Sequence, residues 1–170
     1  MEFFDVVQNR HSIRSYSSKE VEEDKIKKIL GAANSAPSAG NLQAYEIFVI
    51  RDKEKKNKIA KAAGEQEFVA EAPIVLVFCA HPQLSRRKYG HRGEDLYSLQ
   101  DATIAVAYSQ LAAAALGLGC VWVGAFDENE VLRILEKKDL RPVAILPIGY
   151  PNEEPEIRQR RELKDIVHDV

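Results

Sequence analysis

The order of apolar and polar residues predicts helices and strands that alternate along the chain. Apolar residues recur at helical spacing in residues 3–7 and 21–30, and a lysine-rich helix is predicted over residues 53–63. Residues 74–80 are apolar without interruption, which predicts a strand that is buried on both faces. Asp127 precedes a helical stretch that ends at Leu135, and it is expected to cap that helix. The predicted strands are residues 45–50, 74–80, 120–126 and 143–150.

A long helix is predicted from about residue 96 to residue 116, with apolar side chains around most of its circumference. A helix of this kind must be buried in a soluble protein. Because the chain is small, we expect a second copy of it to cover the helix, with small side chains such as Ala113 allowing close approach. A membrane-spanning helix is the alternative, but Asp101, Ser109 and Gln110 interrupt the apolar run.

Length and composition set broad limits on the protein class. A chain of 170 residues with 45% hydrophobic content predicts a single domain over residues 1–170. The sequence becomes polar after Pro151, so residues 155–170 are expected to wrap the partner subunit. The 24 basic and 26 acidic residues nearly balance, which gives no broad positive field for nucleic acid. No signal peptide or membrane anchor is apparent, and the expected location is the cytoplasm.

Three further patterns predict no chemistry of their own. Cys79 and Cys120 lie in apolar segments, as buried reduced thiols do. Cys79, His81 and His91 match no ligand spacing, so no metal site is predicted. Gly117 follows a helix and precedes a strand, the reverse of the order in a dinucleotide fingerprint, and is expected to end the helix.

The sequence RHSIRSY at residues 10–16 is the first candidate binding motif. If the backbone is extended, Arg10, Ser12 and Arg14 point to one side, because successive side chains alternate. Two guanidinium groups with a hydroxyl between them match the oxygens of a phosphate group. A solvated charged turn is the alternative that these residues alone leave open.

A second motif, PSAGNLQ at residues 37–43, combines with the first into a pattern that resembles the nitroreductase family. Further marks are Gln100-Asp101 in the long helix, GLG at residues 117–119, Trp122 with Gly124, and PIGYP at residues 147–151. The resemblance covers nearly the whole chain and is to the short form of the family. It implies an α+β fold, namely a three-layer α/β/α sandwich with a central mixed sheet, in an intertwined homodimer that exchanges C-terminal tails.

The resemblance also implies an FMN site that both subunits form. One subunit would hold the FMN phosphate and ribityl chain, and a late basic residue, Arg158 or Arg160, would reach the same phosphate. The partner would contact the flavin edge, and the Gly124 N–H would hydrogen-bond flavin N5. The implied residues are Arg10, His11, Ser12 and Arg14 for the phosphate, Pro37, Ser38, Asn41 and Gln43 for the edge, and Val123, Gly124 and Ala125 for the opposite ring face.

The implied function is that of an FMN-dependent NAD(P)H oxidoreductase. NADH or NADPH would pass hydride to flavin N5, and a nitroaromatic compound, a quinone or a related acceptor would then use the same pocket, with no catalytic protein residue. Tyr89, Arg92 and Tyr97 are candidates for a lid that selects the acceptor, or else ordinary loop residues. Two alternatives stay open: a relative with another flavin task, such as dehydrogenation, dehalogenation or flavin breakdown, and a non-catalytic FMN-binding protein.

Overall fold

A four-stranded sheet forms the centre of the structure, a computed structural model that describes residues 2–170. The strands lie in the order β1-β2-β4-β3, and each neighbouring pair is antiparallel. A single parallel bridge between Ser12 and Cys120 adds the N-terminal segment to the β3 edge, so the sheet is mixed only there. The strands are β1 (Tyr45–Ile50), β2 (Ile74–Ala80), β3 (Gly119–Cys120) and β4 (Arg141–Gly149).

Helices cover both faces of this sheet and give the three-layer sandwich that the sequence predicts. Odd-numbered residues of β2, such as Val75, contribute to one buried cluster, while even-numbered residues such as Leu76 contribute to the other. This division follows from the alternation of side chains along a strand. The helices are α1 (Phe3–Asn9), α2 (Glu23–Asn34), α3 (Lys53–Ala62), α4 (Phe68–Glu71), α5 (Pro82–Arg92), α6 (Ser98–Ala115) and α7 (Glu128–Leu135).

Helices α3, α4 and α7 pack on the sheet face that carries Val75, and α2 and α6 pack on the face that carries Leu76. The Asp127 carboxylate accepts hydrogen bonds from the first-turn N–H groups of Asn129 (2.9 Å) and Glu130 (3.0 Å), which confirms its capping role. Gly117 adopts a φ of 73° just after α6, and the Leu118 N–H returns to the Ala113 oxygen at 2.9 Å. This is a glycine C-cap, as predicted.

The predicted strand over residues 120–126 is mostly wrong. Regular pairing stops at Cys120, and only Val123 pairs again, exchanging two hydrogen bonds of 3.0 Å with Ile145. The β3–β4 pairing and the Val123–Ile145 bridge have the same register, which places Pro147 opposite Val121. Because proline has no N–H, the ladder cannot continue through that pair.

Helix α6 is buried on one side by its own protomer, and the expectation for Ala113 was therefore wrong. Ala113 is 0% exposed and packs into the α2/α6 core cluster, so it cannot lie at a subunit interface. The exposed side of α6 instead carries Thr103, Ala107 and Tyr108. In the part of the chain that the structure describes, no helix has the length and apolar character needed to cross a membrane.

The C-terminal tail follows the N-terminal segment and then leaves the core. Pro151 pairs with Tyr16, and the Asn152 N–H donates to the Ser15 oxygen at 3.0 Å. Beyond Pro155 every side chain is exposed, including Ile157 (82%) and Leu163 (73%). Large apolar side chains with this much solvent exposure are typical of a surface that another molecule covers.

Candidate functional site

The segment that carries Arg10 and Arg14 is extended along the edge of the sheet. The Ile13 N–H donates to the Cys120 oxygen at 3.1 Å, and Ser12 forms the parallel bridge with the same residue. Ile13 is buried, whereas Ser12 and Arg14 are exposed and Arg10 is half-buried. The backbone therefore keeps the two arginines and the intervening serine out of the core.

A cavity of about 370 Å³ opens beside Arg10 and His11. Residues 117–120 form another wall, and tail residues 151–155 border the cavity on the side of the C-terminus. Cys120 is part of this lining, but burial raises the pKa of its thiol to about 12. The thiol is therefore neutral near pH 7 and unsuited to act as a nucleophile, so the charged side chains of this cavity are the Arg10 guanidinium and the carboxylates of Glu153 and Glu154.

Glu153 is a contact of this segment that the sequence did not reveal. Its carboxylate accepts hydrogen bonds from the N–H groups of Arg14 and Ser15, the second at 3.2 Å. The neighbouring Tyr16 hydroxyl donates to the Ile13 oxygen at 2.6 Å, and burial, followed by Cys120 and Glu153, raises the pKa of Tyr16. These contacts fix the backbone that carries Arg14.

The loop of residues 37–43 has an unusual backbone. Gly40, Asn41 and Gln43 adopt left-handed φ values of 57°, 58° and 44°. The Ser38 hydroxyl oxygen accepts hydrogen bonds from the Gln43 N–H (3.0 Å) and side-chain amide (3.2 Å), which close the loop on itself. Such conformations are disfavoured for residues other than glycine and are concentrated at functional sites.

Helix α6 contacts the loop of residues 37–43 through Asp101. The Asp101 carboxylate is 2% exposed, and its Oδ1 accepts a hydrogen bond from the Ala39 N–H at 2.8 Å. In the sequence Asp101 interrupts an apolar helix and is one mark of the family resemblance, but nothing local indicates its partner in the loop. A cavity of about 580 Å³ lies here, lined by Pro37, Ser38, Ala39, Tyr97, Leu99, Gln100, Asp101, Thr103 and Ile104.

The three candidate lid residues lie together next to the same loop. The Tyr89 and Tyr97 rings meet edge to face at 5.2 Å, and Arg92 Nε donates to the Tyr97 hydroxyl at 3.0 Å. Lys88 Nζ lies 3.4 Å from the Gly40 oxygen, and a Cβ on Gly40 would collide with the Tyr89 hydroxyl and Lys88 ammonium. The end of α5 is therefore packed on the loop.

Val123, Gly124 and Ala125 follow the interrupted strand. Val123 is buried by its pairing with Ile145, while Gly124 and Ala125 are exposed. Among the described residues, no acceptor takes a hydrogen bond from the Gly124 N–H. A Cβ on Gly124 would lie 3.1 Å from Trp122 Nε1, so a side chain here would crowd the indole ring.

Arg158 and Arg160 both lie in the exposed tail. Arg158 donates to Glu156 at 2.8 Å, and that pairing lowers the pKa of Glu156, with a smaller contribution from Arg14. The structure gives Arg160 no comparable partner within residues 2–170.

Within one chain, these residues fall into two separate groups. The cavity beside Arg10 and His11 and the cavity beside Pro37 and Ser38 share no lining residue. The first cavity offers the guanidinium and imidazole donors of Arg10 and His11 beside two carboxylates, and the second offers an apolar wall with a few polar groups. Neither cavity is lined by candidate residues of both groups.

Comparisons with known proteins agree on one family. The model described as Nitroreductase family matches residues 7–67 and 61–150. An FMN reductase (NAD(P)H) of Bacillus subtilis is 35% identical over 84% of this chain, which spans 63% of that protein's length. An NADH dehydrogenase of Thermus thermophilus is 33% identical, with 93% of this chain and 91% of that protein covered. The solved structure of B. megaterium NfrA2 superposes with a TM-score of 0.91 at 28% identity, covering 99% of this chain and 74% of that one.

Proposed function

This chain belongs to the nitroreductase family, and we propose that it is an FMN-dependent NAD(P)H oxidoreductase that reduces a nitroaromatic compound, a quinone or a related acceptor. At the level of the family it is a flavin-dependent NAD(P)H oxidoreductase. FMN as the flavin, the acceptor class and the residues of the site are the parts that we add.

The donor set of the N-terminal segment fits the FMN phosphate. Arg10 and Arg14 supply guanidinium groups on a backbone that stays out of the core, with the Ser12 hydroxyl between them and His11 beside them. Guanidinium groups bind phosphate through paired charge-assisted hydrogen bonds. We assign the phosphate to this segment, with Arg158 or Arg160 as a further contact.

The loop of residues 37–43 fits the flavin ring rather than the phosphate. Its cavity is lined by Pro37 and Ser38 together with apolar residues such as Leu99 and Ile104. We assign Pro37, Ser38, Asn41 and Gln43 to the flavin edge. Planar cofactors bind in mostly apolar pockets with a few placed polar groups. Gly124 is exposed, and its N–H, which has no acceptor among residues 2–170, suits a ring nitrogen of the flavin.

A homodimer joins the two groups. The exposed side of α6 and the exposed tail are the surfaces that a second copy would cover, and each would bring its loop to the partner's arginines. The observation that carries the proposal is that, within one chain, the cavity beside Arg10 and the cavity beside Ser38 have no lining residue in common. The single domain over residues 1–170 would then be half of the functional unit.

When bound, the flavin would supply the redox chemistry, accepting reducing equivalents from NAD(P)H and passing them to the acceptor in a ping-pong cycle. The chain's own residues would bind and orient. The arginines fix the cofactor, the Gly124 N–H holds the ring, and Tyr89, Arg92 and Tyr97 border the space where NAD(P)H and the acceptor take turns. No side chain has to transfer a proton in this scheme.

The direct test is the visible absorbance spectrum of the purified protein, before and after anaerobic addition of NADH or NADPH. We expect flavin bands that bleach with a reduced nicotinamide and return when a quinone or nitroaromatic compound is added. A colourless protein that takes up no added FMN would contradict the proposal. Flavin that stays oxidised with both nicotinamides would instead indicate a binding protein.

A further inference from the structure

Asp101 is a buried acid that the proposed chemistry does not use. Its carboxylate is 2% exposed, Oδ1 accepts from the Ala39 N–H at 2.8 Å, and Oδ2 has no hydrogen-bond partner among the described residues. Burial raises the pKa of this carboxyl, and the backbone groups of Ala39 and Ala44 oppose the shift. A buried carboxylate oxygen without a hydrogen-bond partner destabilises the folded protein, and a role in positioning the site would account for an acid at this place.

The loop above Asp101 needs external support. Asn41 and Gln43 hold left-handed backbone conformations that residues other than glycine avoid. The bonds between Ser38 and Gln43 stabilise the shape of the loop, but they do not attach it to any helix. The bond from Ala39 to Asp101 does so, because it joins the loop to α6, a helix 62 residues further along the chain.

We propose that Asp101 is a positioning residue for the flavin site, whose carboxylate fixes the loop of residues 37–43 on helix α6. The inference rests on the proposed function. Helix α6 also presents the exposed side that we assign to the dimer interface. Helix α6 would therefore do two things. It would set the distance between the protomers, and through Asp101 it would set where Ser38 and Asn41 meet the cofactor held by the partner.

Two substitutions at this position separate the hydrogen bond from the side chain as such. Asp101→Asn keeps an acceptor oxygen for the Ala39 N–H, and Asp101→Ala removes it. We expect FMN affinity, measured by quenching of flavin fluorescence, to fall by about tenfold or more in Asp101→Ala and to stay within about threefold in Asp101→Asn. Ser109→Ala is the matched control, because Ser109 is buried in the same helix and its hydroxyl donates to the Ala105 oxygen within α6.

Amide hydrogen exchange of the flavin-free protein gives a second readout. The Ala39 amide should exchange faster in Asp101→Ala than in the native protein or in Asp101→Asn, because its acceptor is gone. This readout holds even if the protein takes up no flavin, so failure of the proposed function and failure of this inference remain distinguishable. Unchanged Ala39 exchange in Asp101→Ala would overturn the inference, as would an equal affinity loss in both variants.

Ala39→Pro tests the same bond from the other side if Asp101→Ala does not fold. It removes the donor N–H and leaves Asp101 in place. Ser38 has φ −138° and ψ 155°, an extended conformation that suits the residue before a proline. We expect the same loss of about tenfold in FMN affinity. Native affinity in Ala39→Pro would show that the bond does not position the loop.

Discussion

The two halves of the proposed flavin site are held in place by different means. The arginine segment is held through its own backbone groups, which bond to the sheet edge and to the tail, the Glu153 carboxylate included, so the side chains of Arg10 and Arg14 are not needed to hold it. The loop of residues 37–43 is held by side chains, with Ser38 inside the loop and Asp101 below it. The first region should therefore tolerate most changes except those to its charges, whereas the second should be sensitive to its packing.

Removing the charges of the arginine segment should have the largest effect. Arg10→Ala with Arg14→Ala deletes two phosphate contacts worth about 1.5–3 kcal/mol each, so FMN affinity should fall by two or more orders of magnitude. The fold should persist, because sheet contacts through Ser12 and Ile13 remain. Fluorescence titration and circular dichroism measure the two effects.

A control pair removes the same net charge elsewhere. Arg51 and Arg133 sit in exposed ion pairs with Glu23 and Glu130. Their double replacement by alanine should leave FMN affinity unchanged, because neither lines the cavity beside Arg10 and His11. An equal loss in both double variants would mean that overall charge, rather than this motif, governs binding.

A charge on the exposed side of α6 should weaken the dimer and so separate the arginine segment of one protomer from the loop of residues 37–43 of its partner. Ala107→Glu places a carboxylate where we expect the partner helix, and the dimer dissociation constant should rise by about tenfold or more, with flavin lost in parallel. Sedimentation and flavin content measure this. Asn57→Glu, on the exposed side of α3, is the control. A flavin-loaded Ala107→Glu dimer would place the interface elsewhere.

Glycine replacement tests the packing of the loop. Gly40→Ala forces a methyl group onto a residue with φ 57°, at a cost of about 1–2 kcal/mol, and should weaken FMN binding by about fivefold to tenfold. Gly64→Ala carries the same strain at φ 73°, with no atom within 4 Å of the new Cβ. It should lower the melting temperature and leave FMN affinity intact. Equal affinities in the two variants would refute a special role for the loop.

The smallest expected effect comes from Glu153. Glu153→Gln keeps an acceptor for the Arg14 and Ser15 N–H groups and removes a negative charge near the phosphate site. FMN affinity should rise by about twofold to threefold at low salt, and the gain should shrink as ionic strength increases. Glu154→Gln, the same charge change without these bonds, should have a weaker effect. A loss of affinity in Glu153→Gln would show that the anion itself is needed.

The sequence predicted those features that are encoded locally. Helix and strand periodicity located most elements, the Asp127 cap and the glycine end of α6, and residues 45–50 were predicted to the exact bounds of β1. The strand after Cys120 was overpredicted, because Pro147 lies opposite it in a neighbouring strand that the local pattern does not reveal.

The site contacts that the sequence did not predict join residues that are far apart along the chain. Asp101 and Ala39 are 62 residues apart, and Glu153 and Arg14 are 139 apart. In the sequence, Asp101 is an isolated acid in an apolar helix and Glu153 belongs to a polar tail. Only the fold brings each to its partner, so the candidate binding motifs can be proposed from side-chain chemistry and the family resemblance, whereas the residues that position them cannot.

The central claim is that one flavin site takes residues from two chains, and mixed dimers test it most directly. One variant carries Arg10→Ala with Arg14→Ala, the other carries Ser38→Ala with Asn41→Ala, and each alone should bind little FMN. When the two are refolded together, the mixed dimer should regain one intact site, and about half of its sites should bind FMN with native affinity. No recovery in a mixed dimer that has demonstrably formed would contradict the two-chain site.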